Sequence, residues 1–328
     1  MTTLLVASEG GHLTELQILA RRLDVKEYAW VTFDSAQSRS LLSGQEVYYA
    51  PFAGSRDLPG TWHAGSWAHG FLRNHRFDSV ISTGASIALA VLPQAARAGA
   101  ECYFFECSAR TSGPSLTGRL LEPFRSIKLF TQYERWANRR WKYHSSIFDG
   151  FRSIPLDSTA EPKRVVVTFG LHKGGFRRAL ERLVQVIPEG TEVLWQIGDT
   201  DNSDLGIKSH VSLPAPELTQ AMAEADAVIT HAGTGSIISA LQAGKLPLII
   251  PRRKEFREHI DNHQLLIADE LGRRDLIVRA EADSIEWKDV INAASSRVTG
   301  IDSVSALAPQ PWRPNRGGST GGQPGSHE

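Results

Sequence analysis

The stretch DAVITHAGTGSIISALQAGKLPLIIP, residues 226–251, decides the fold. An apolar run through Ile229 ends in His231-Ala232-Gly233-Thr234-Gly235-Ser236; apolar residues at helical spacing follow at once, then a second apolar run. A strand, a glycine turn, a helix and another strand in so short a space read as one βαβ unit of a parallel sheet. Glycine lets backbone approach a ligand closely, and the first free amides of a helix favour an anion such as phosphate. Ser236 adds a hydroxyl donor. Taken alone, the same turn also fits glycine used for geometry and serine used as a helix cap.

The alternation extends in both directions. Apolar runs at 4–7, 28–33, 47–50, 79–82, 101–105 and 127–131 predict strands in the first half, and Leu13, Leu16, Leu19 and Leu23 mark an intervening helix. After a loosened, proline-containing stretch the pattern restarts, with strands expected at 164–169, 192–197, 210–213, 227–230 and 246–250. The expected architecture is α/β: two Rossmann-like domains with parallel sheets facing a cleft, where ligands bind beyond the carboxyl ends of the strands. The boundaries read as an N-terminal domain over 1–150, a linker over 151–163, a C-terminal domain over 164–300 and a disordered Pro/Gly-rich tail over 309–328.

Composition narrows the function classes. The chain has 328 residues, 41% hydrophobic and 22% charged, with zero formal net charge, which argues against a dedicated nucleic-acid binder. Cys102 and Cys107 match no disulfide framework or zinc motif, so a reducing, cytosolic compartment fits. No signal peptide is visible, and the longest apolar candidate, Ile87 to Ala98, is interrupted by Pro93, Gln94 and Arg97, which excludes a spanning helix there.

Beyond Pro251 comes a polar loop and then His259-Ile260-Asp261-Asn262-His263-Gln264, opening another helix beside the first glycine turn. Asn262 and Gln264 offer fixed donors and acceptors of the kind that bind sugar hydroxyls; helix capping is the competing use. HAGTGS followed by DNHQLLIADEL resembles the donor half of the two-subunit N-acetylglucosaminyltransferases of dolichol-linked glycan assembly, as well as MurG and the glucuronosyltransferase half-proteins of exopolysaccharide assembly. Asp226-Ala227, Gln196-Ile197-Gly198 and Val167-Thr168-Phe169-Gly170 fit the same pattern, so the resemblance spans roughly residues 164–272. The N-terminal half resembles the acceptor-side partner through Ser8-Glu9-Gly10-Gly11-His12, Ser82-Thr83-Gly84, Phe105-Glu106-Cys107-Ser108-Ala109-Arg110, Ser115-Leu116-Thr117-Gly118-Arg119 and Thr131-Gln132-Tyr133.

The resemblance implies a fused GT-B glycosyltransferase, with a UDP-sugar as donor co-substrate, a polyprenyl-diphosphate-linked saccharide as acceptor, inversion at the sugar, and no metal or other cofactor. Donor contacts are expected from Gly170, His231, Gly233, Thr234, Gly235, Ser236, Asn262 and Gln264, and acceptor contacts from Gly10, Gly11, Glu106, Ser108 and Arg110. Two departures stand out. The membrane-anchoring helix that often opens the acceptor half is not seen, and the turn after Gly170, which usually carries Thr, reads Leu171-His172-Lys173. The reaction needs a base for the acceptor hydroxyl and charge stabilisation for the departing diphosphate. His12 at a helix entrance, kept neutral there, is the candidate base, and Glu15 one turn later is expected to orient it.

Residues 119–143 carry seven basic side chains against two acidic ones, interleaved with Tyr133, Trp136, Trp141 and Tyr143. This pattern suggests peripheral attachment to an anionic membrane on its cytoplasmic face, joined by the aromatic segment 62–71; a solvated basic face with core-packed aromatics is the alternative. Arg252, Arg253, Lys254 and Arg257 lean the donor slightly toward UDP-glucuronate over UDP-GlcNAc. Three other readings compete: a nucleotide-sugar 2-epimerase of the same fold, a non-catalytic nucleotide-sugar-binding subunit, and an NAD enzyme in which Asp34 binds ribose. The last lacks the third glycine of the dinucleotide fingerprint.

Overall fold

A computed structural model describes residues 2–54, 57–157, 160–170, 174–259 and 262–300. The turn at 171–173 and the tail over 309–328 lie outside the described residues. The first sheet has seven parallel strands in the order β3-β2-β1-β4-β5-β6-β7. They are β1 (Thr3–Ala7), β2 (Tyr28–Phe33), β3 (Val47–Ala50), β4 (Ser79–Gly84), β5 (Glu101–Phe105), β6 (Ile127–Thr131) and β7 (Trp141–Tyr143). The intervening helices are α1 (Gly11–Arg22), α2 (Ala36–Leu41), α3 (Leu58–Asn74), α4 (Ser86–Arg97) and α5 (Leu116–Leu121). Strand side chains alternate between two cores: Leu4 and Val6 pack toward α3 and α4, whereas Leu5 and Ala7 meet Leu13, Leu16 and Leu19 of α1.

A strand β8 (Phe151–Pro155) leads into the second sheet of six parallel strands, ordered β11-β10-β9-β12-β13-β14. These are β9 (Arg164–Thr168), β10 (Glu192–Gln196), β11 (Ser209–His210), β12 (Ala227–His231), β13 (Leu248–Ile250) and β14 (Val278–Arg279). Its helices are α6 (Arg177–Val186), α7 (Ala215–Glu224), α8 (Thr234–Gln242), α9 (His263–Gly272) and α10 (Trp287–Ala294). In both sheets the first strand of the unit is central and the order reverses beside it, creating a crevice at the carboxyl ends of β1/β4 and of β9/β12.

Two features depart from the sequence reading. The first five residues of the expected linker form a strand: Phe151–Pro155 pairs antiparallel with β15 (Ser296–Gly300), so the end of the second unit returns to the crossover. The edge strands Trp141–Tyr143 and Val278–Arg279 have too few residues to display a period and lie among charged side chains, which hid them. The domains also share an apolar seam, in which Ile18 of α1 and Ile147 and Phe148 join Ile237, Ile238 and Leu241 of α8. Among the described residues no helix is long and apolar enough to cross a membrane.

Candidate active site

The two glycine turns meet. Gly11 opens α1 and Thr234 opens α8, and a β-carbon built on Gly11 would stand 3.2 Å from the Gly235 amide nitrogen and collide with Thr234 Oγ1. Conversely, a β-carbon on Gly235 would stand 3.3 Å from Gly11 Cα. Neither helix has a side-chain cap: Gly10 and Gly233 occupy the cap positions. Ser35, Asp57 and Ser115 cap α2, α3 and α5, but α4, α6, α7 and α9 also start without a side-chain cap, so what sets α1 and α8 apart is that their open starts touch. The first amides of a helix have no intrahelical acceptor. Two uncapped, partially positive helix starts in contact therefore form a place for an anion, since without one they repel.

His12 sits at this contact. Thr83 grips it twice: its carbonyl lies 2.8 Å from His12 Nδ1, and its hydroxyl donates to the His12 carbonyl oxygen at 2.8 Å. A carbonyl only accepts, so Nδ1 carries the hydrogen and Nε2 keeps its lone pair. Burial, with Arg110 and His263 adding smaller like-charge effects, pushes the imidazole down from its ordinary value to about 4, against the opposing Thr83 bond. His12 is therefore neutral and shaped to accept a proton at Nε2.

Glu15 does not orient His12, and that expectation is corrected. Its side chain turns into the N-terminal domain, where Oε1 accepts from Ser108 Oγ (2.7 Å) and Oε2 from Ser108 N (3.0 Å) and Gln132 Nε2 (3.2 Å). Desolvation outweighs these donors and raises its carboxyl to about 7. Glu106 is likewise structural: its carboxylate accepts from Cys107 N, Ser115 N and Ser115 Oγ. Ser108 is fully spent on Glu15 and Tyr133. Arg110, by contrast, is half-buried near His12, and its guanidinium makes no hydrogen bond or ion pair among the described residues.

On the donor side, Thr234, Gly235 and Ser236 supply the uncapped first turn of α8. Gly170 and Gly233 have a more indirect use. A β-carbon on Gly233 would lie 2.8 Å from His231 Cε1, and one on Gly170, at φ +67°, 2.7 Å from the same atom. These glycines make room for the buried His231 ring between the two turns. Gln264 accepts from the Arg252 backbone N–H at 2.9 Å, and Asn262 from that of Lys254 at 2.9 Å, so both side-chain oxygens fix the 252–254 loop. Arg252 is itself buried and donates to the carbonyls of Phe169, Gly174 and Glu258, tying both ends of the turn after β9 to this loop. Arg253 is engaged by Glu281 at 2.6 Å. Asp34, the proposed ribose carboxylate, forms an exposed ion pair with Arg39 at 2.6 Å.

Sequence reasoning missed Thr83, which orients His12, and left His263 unassigned although it lies close enough to influence His12. No spacing links residues 12 and 83; only the pairing of β1 with β4 brings them together.

These two facing crevices, with helix starts abutting across them, define the GT-B fold, and solved structures agree. MurG from Acinetobacter baumannii superposes with TM-score 0.56 over 89% of each chain at 14% identity. The glycosyltransferase SnogD from Streptomyces nogalater does so with TM-score 0.59, 93% of this chain, 92% of that one and 17% identity. The chain therefore has the GT-B fold, which it shares with MurG. Residues 170–286 match the Glycosyltransferase family 28 C-terminal domain. Seventy residues are 44% identical to the UDP-N-acetylglucosamine transferase subunit ALG13 of Yarrowia lipolytica, covering 21% of this chain and 34% of that protein. The corresponding subunit of Kluyveromyces lactis is 39% identical over 61 residues, covering 19% and 29%. The match thus spans about a third of the length of these curated relatives.

Proposed function

We propose that the chain transfers a sugar from a UDP-sugar, with inversion, to a hydroxyl of a polyprenyl-diphosphate-linked saccharide in cell-surface polysaccharide assembly. The observation that carries this reading is the meeting of two uncapped helix starts beside a neutral histidine. The acceptor hydroxyl attacks the anomeric carbon and gives its proton to His12 Nε2. The bond to the diphosphate breaks, and the negative charge left on UDP is met by the first amides of α8. This assigns charge stabilisation to the chain's own groups rather than to a metal. The names of the curated relatives favour N-acetylglucosamine as the transferred sugar. Of the four cations behind the glucuronate alternative, Arg252 and Arg253 are held by other groups, which leaves that reading resting on Lys254 and Arg257.

The membrane part of the proposal rests more on the expected segment 62–71 than on segment 119–143. Tyr133 and Trp141 belong to the core, Trp136 is half-buried, and Arg135 and Arg140 donate to loop carbonyls, so of the four Trp and Tyr side chains of segment 119–143 Tyr143 alone is exposed. Exposed apolar side chains gather near segment 62–71: Phe52 in the loop before α3, Leu58 and Trp62 at its start, and Leu116 and Leu120 on α5. Helix α4 packs between α3 and α5, and all three begin at the carboxyl edge of the first sheet, beside the acceptor side of the cleft. A lipid-linked acceptor at the cytoplasmic membrane face would present its sugar there.

The test is a panel of radiolabelled UDP-sugars with membrane extract. Lipid-extractable label with stoichiometric UDP supports the reading. Epimer formation without acceptor would establish the epimerase, and UDP binding with no turnover would establish the non-catalytic subunit.

A further inference from the structure

We infer that Arg135 is a positioning residue that ties the acceptor-side loop, residues 106–115, to the donor domain through Glu270. Residues 132–136 hold this loop by its carbonyls. Gln132 Nε2 donates to Glu106 O (3.1 Å), Tyr133 OH to Ser108 O (2.5 Å), Arg135 Nε to Thr111 O (2.5 Å) and Trp136 Nε1 to Arg110 O (3.0 Å). Only Arg135 among these four also reaches the other domain by an ion pair, with Nη2 lying 3.0 Å from Glu270 Oε2. Glu270 belongs to α9, the helix whose first turn carries His263 and Gln264 at the cleft. Arg274 holds its other oxygen at 2.9 Å and reaches Asp149 at 2.7 Å, while the guanidinium groups of Arg135 and Arg274 lie over the Tyr133 ring.

One guanidinium thus bonds Thr111 and Glu270 at once, in the fork geometry that an ammonium cannot reproduce. Opening the cleft separates Glu270 from Arg135, and the loop bearing Arg110 then loses a fixed donor. The acceptor-side grip is consequently tightest when the donor domain is closed, a reciprocal coupling of the two half-sites. This assignment of half-sites rests on the transferase reading above; the physical tie does not.

The test is amide hydrogen exchange of residues 106–115 in the full-length, ligand-free protein. Arg135→Lys keeps the charge but cannot serve both partners, and Glu270→Gln keeps the shape but weakens the anchor. Each is expected to speed loop exchange about tenfold, equivalent to about 1.4 kcal/mol, with the double variant no faster than either. Exchange in β12 reports that the fold is intact, and Arg273→Ala, which touches Glu270 but not the loop, should leave exchange unchanged. Unchanged loop exchange in Glu270→Gln, or additive effects in the double variant, overturns the tie. In turnover, both variants should raise the KM for acceptor without changing that for UDP-sugar. Failure of the wild-type protein to bind UDP would sink the transferase reading alone, with the exchange result still deciding the role of Arg135.

Discussion

Gly11→Ala tests the contact on which the site depends. The added methyl would meet Thr234 Oγ1 and stand 3.2 Å from Gly235 N, across the domain boundary. Non-bonded heavy atoms prefer about 3.5–4.0 Å, so α1 and α8 must separate by roughly 0.3–0.8 Å even after Thr234 rotates away. A misplacement of that size between reacting groups costs on the order of 10²-fold, or about 2.7 kcal/mol of barrier. The helix itself should not suffer, because Gly11 is the first residue of α1 and no positive φ there calls for glycine. The assay is steady-state transfer with UDP affinity measured by calorimetry. The expected result is kcat/KM lowered by about ten- to a hundredfold with UDP affinity within about twofold. Adding Thr234→Ala, which removes the worse of the two collisions, should recover part of the loss. A Gly11→Ala protein with wild-type turnover would refute the claim that catalysis uses this closed contact.

Two further outcomes follow from the same geometry. Glu15, raised from its ordinary 4.5 to about 7, keeps its proton in the folded state across that window while the unfolded chain loses it, so its term lowers stability as pH rises from 4.5 to 7. His12, lowered from 6.5 to about 4, acts in the opposite sense, and its term raises stability as pH rises from 4 to 6.5. Glu15→Gln should therefore unmask a stability that climbs with pH toward 6.5, read by urea unfolding at several pH values, while turnover stays near wild type because the amide still matches Ser108 and Gln132. A lost activity at full stability would restore Glu15 to the chemistry. For the surface, Leu58→Ser and Trp62→Ser should each weaken binding to anionic vesicles about tenfold or more, from the roughly 1.5–3 kcal/mol of burying such a side chain. Unchanged vesicle sedimentation would remove that patch from the account.

Much of this molecule was legible in its sequence because its sheets are parallel and buried on both faces. Runs such as Leu4-Leu5-Val6 and Val165-Val166-Val167 announce central strands without ambiguity. The glycine turns were legible too, since Gly11 and Gly235 permit a contact that larger residues forbid. Side-chain direction was not legible. Glu15 follows His12 by less than one helical turn, yet it faces Ser108 across the domain rather than the cleft. The aromatics of 119–143 alternate with arginines as a membrane surface would, but Trp141 packs in the core beneath Trp136. Asn262 and Gln264 carry the chemistry of sugar ligands and spend their carbonyl oxygens on loop amides. Such partners come from β-strand pairing and loop closure, which no local spacing encodes.

The central claim is that His12 takes the acceptor proton opposite a donor held by the other domain. It is tested most directly by His12→Ala, assayed for sugar transfer and for UDP binding on the same preparation. Removing the imidazole that Thr83 holds should abolish transfer and leave UDP affinity within about twofold, because the amides of Thr234–Ser236 are untouched. Transfer that persists in this variant would contradict the account.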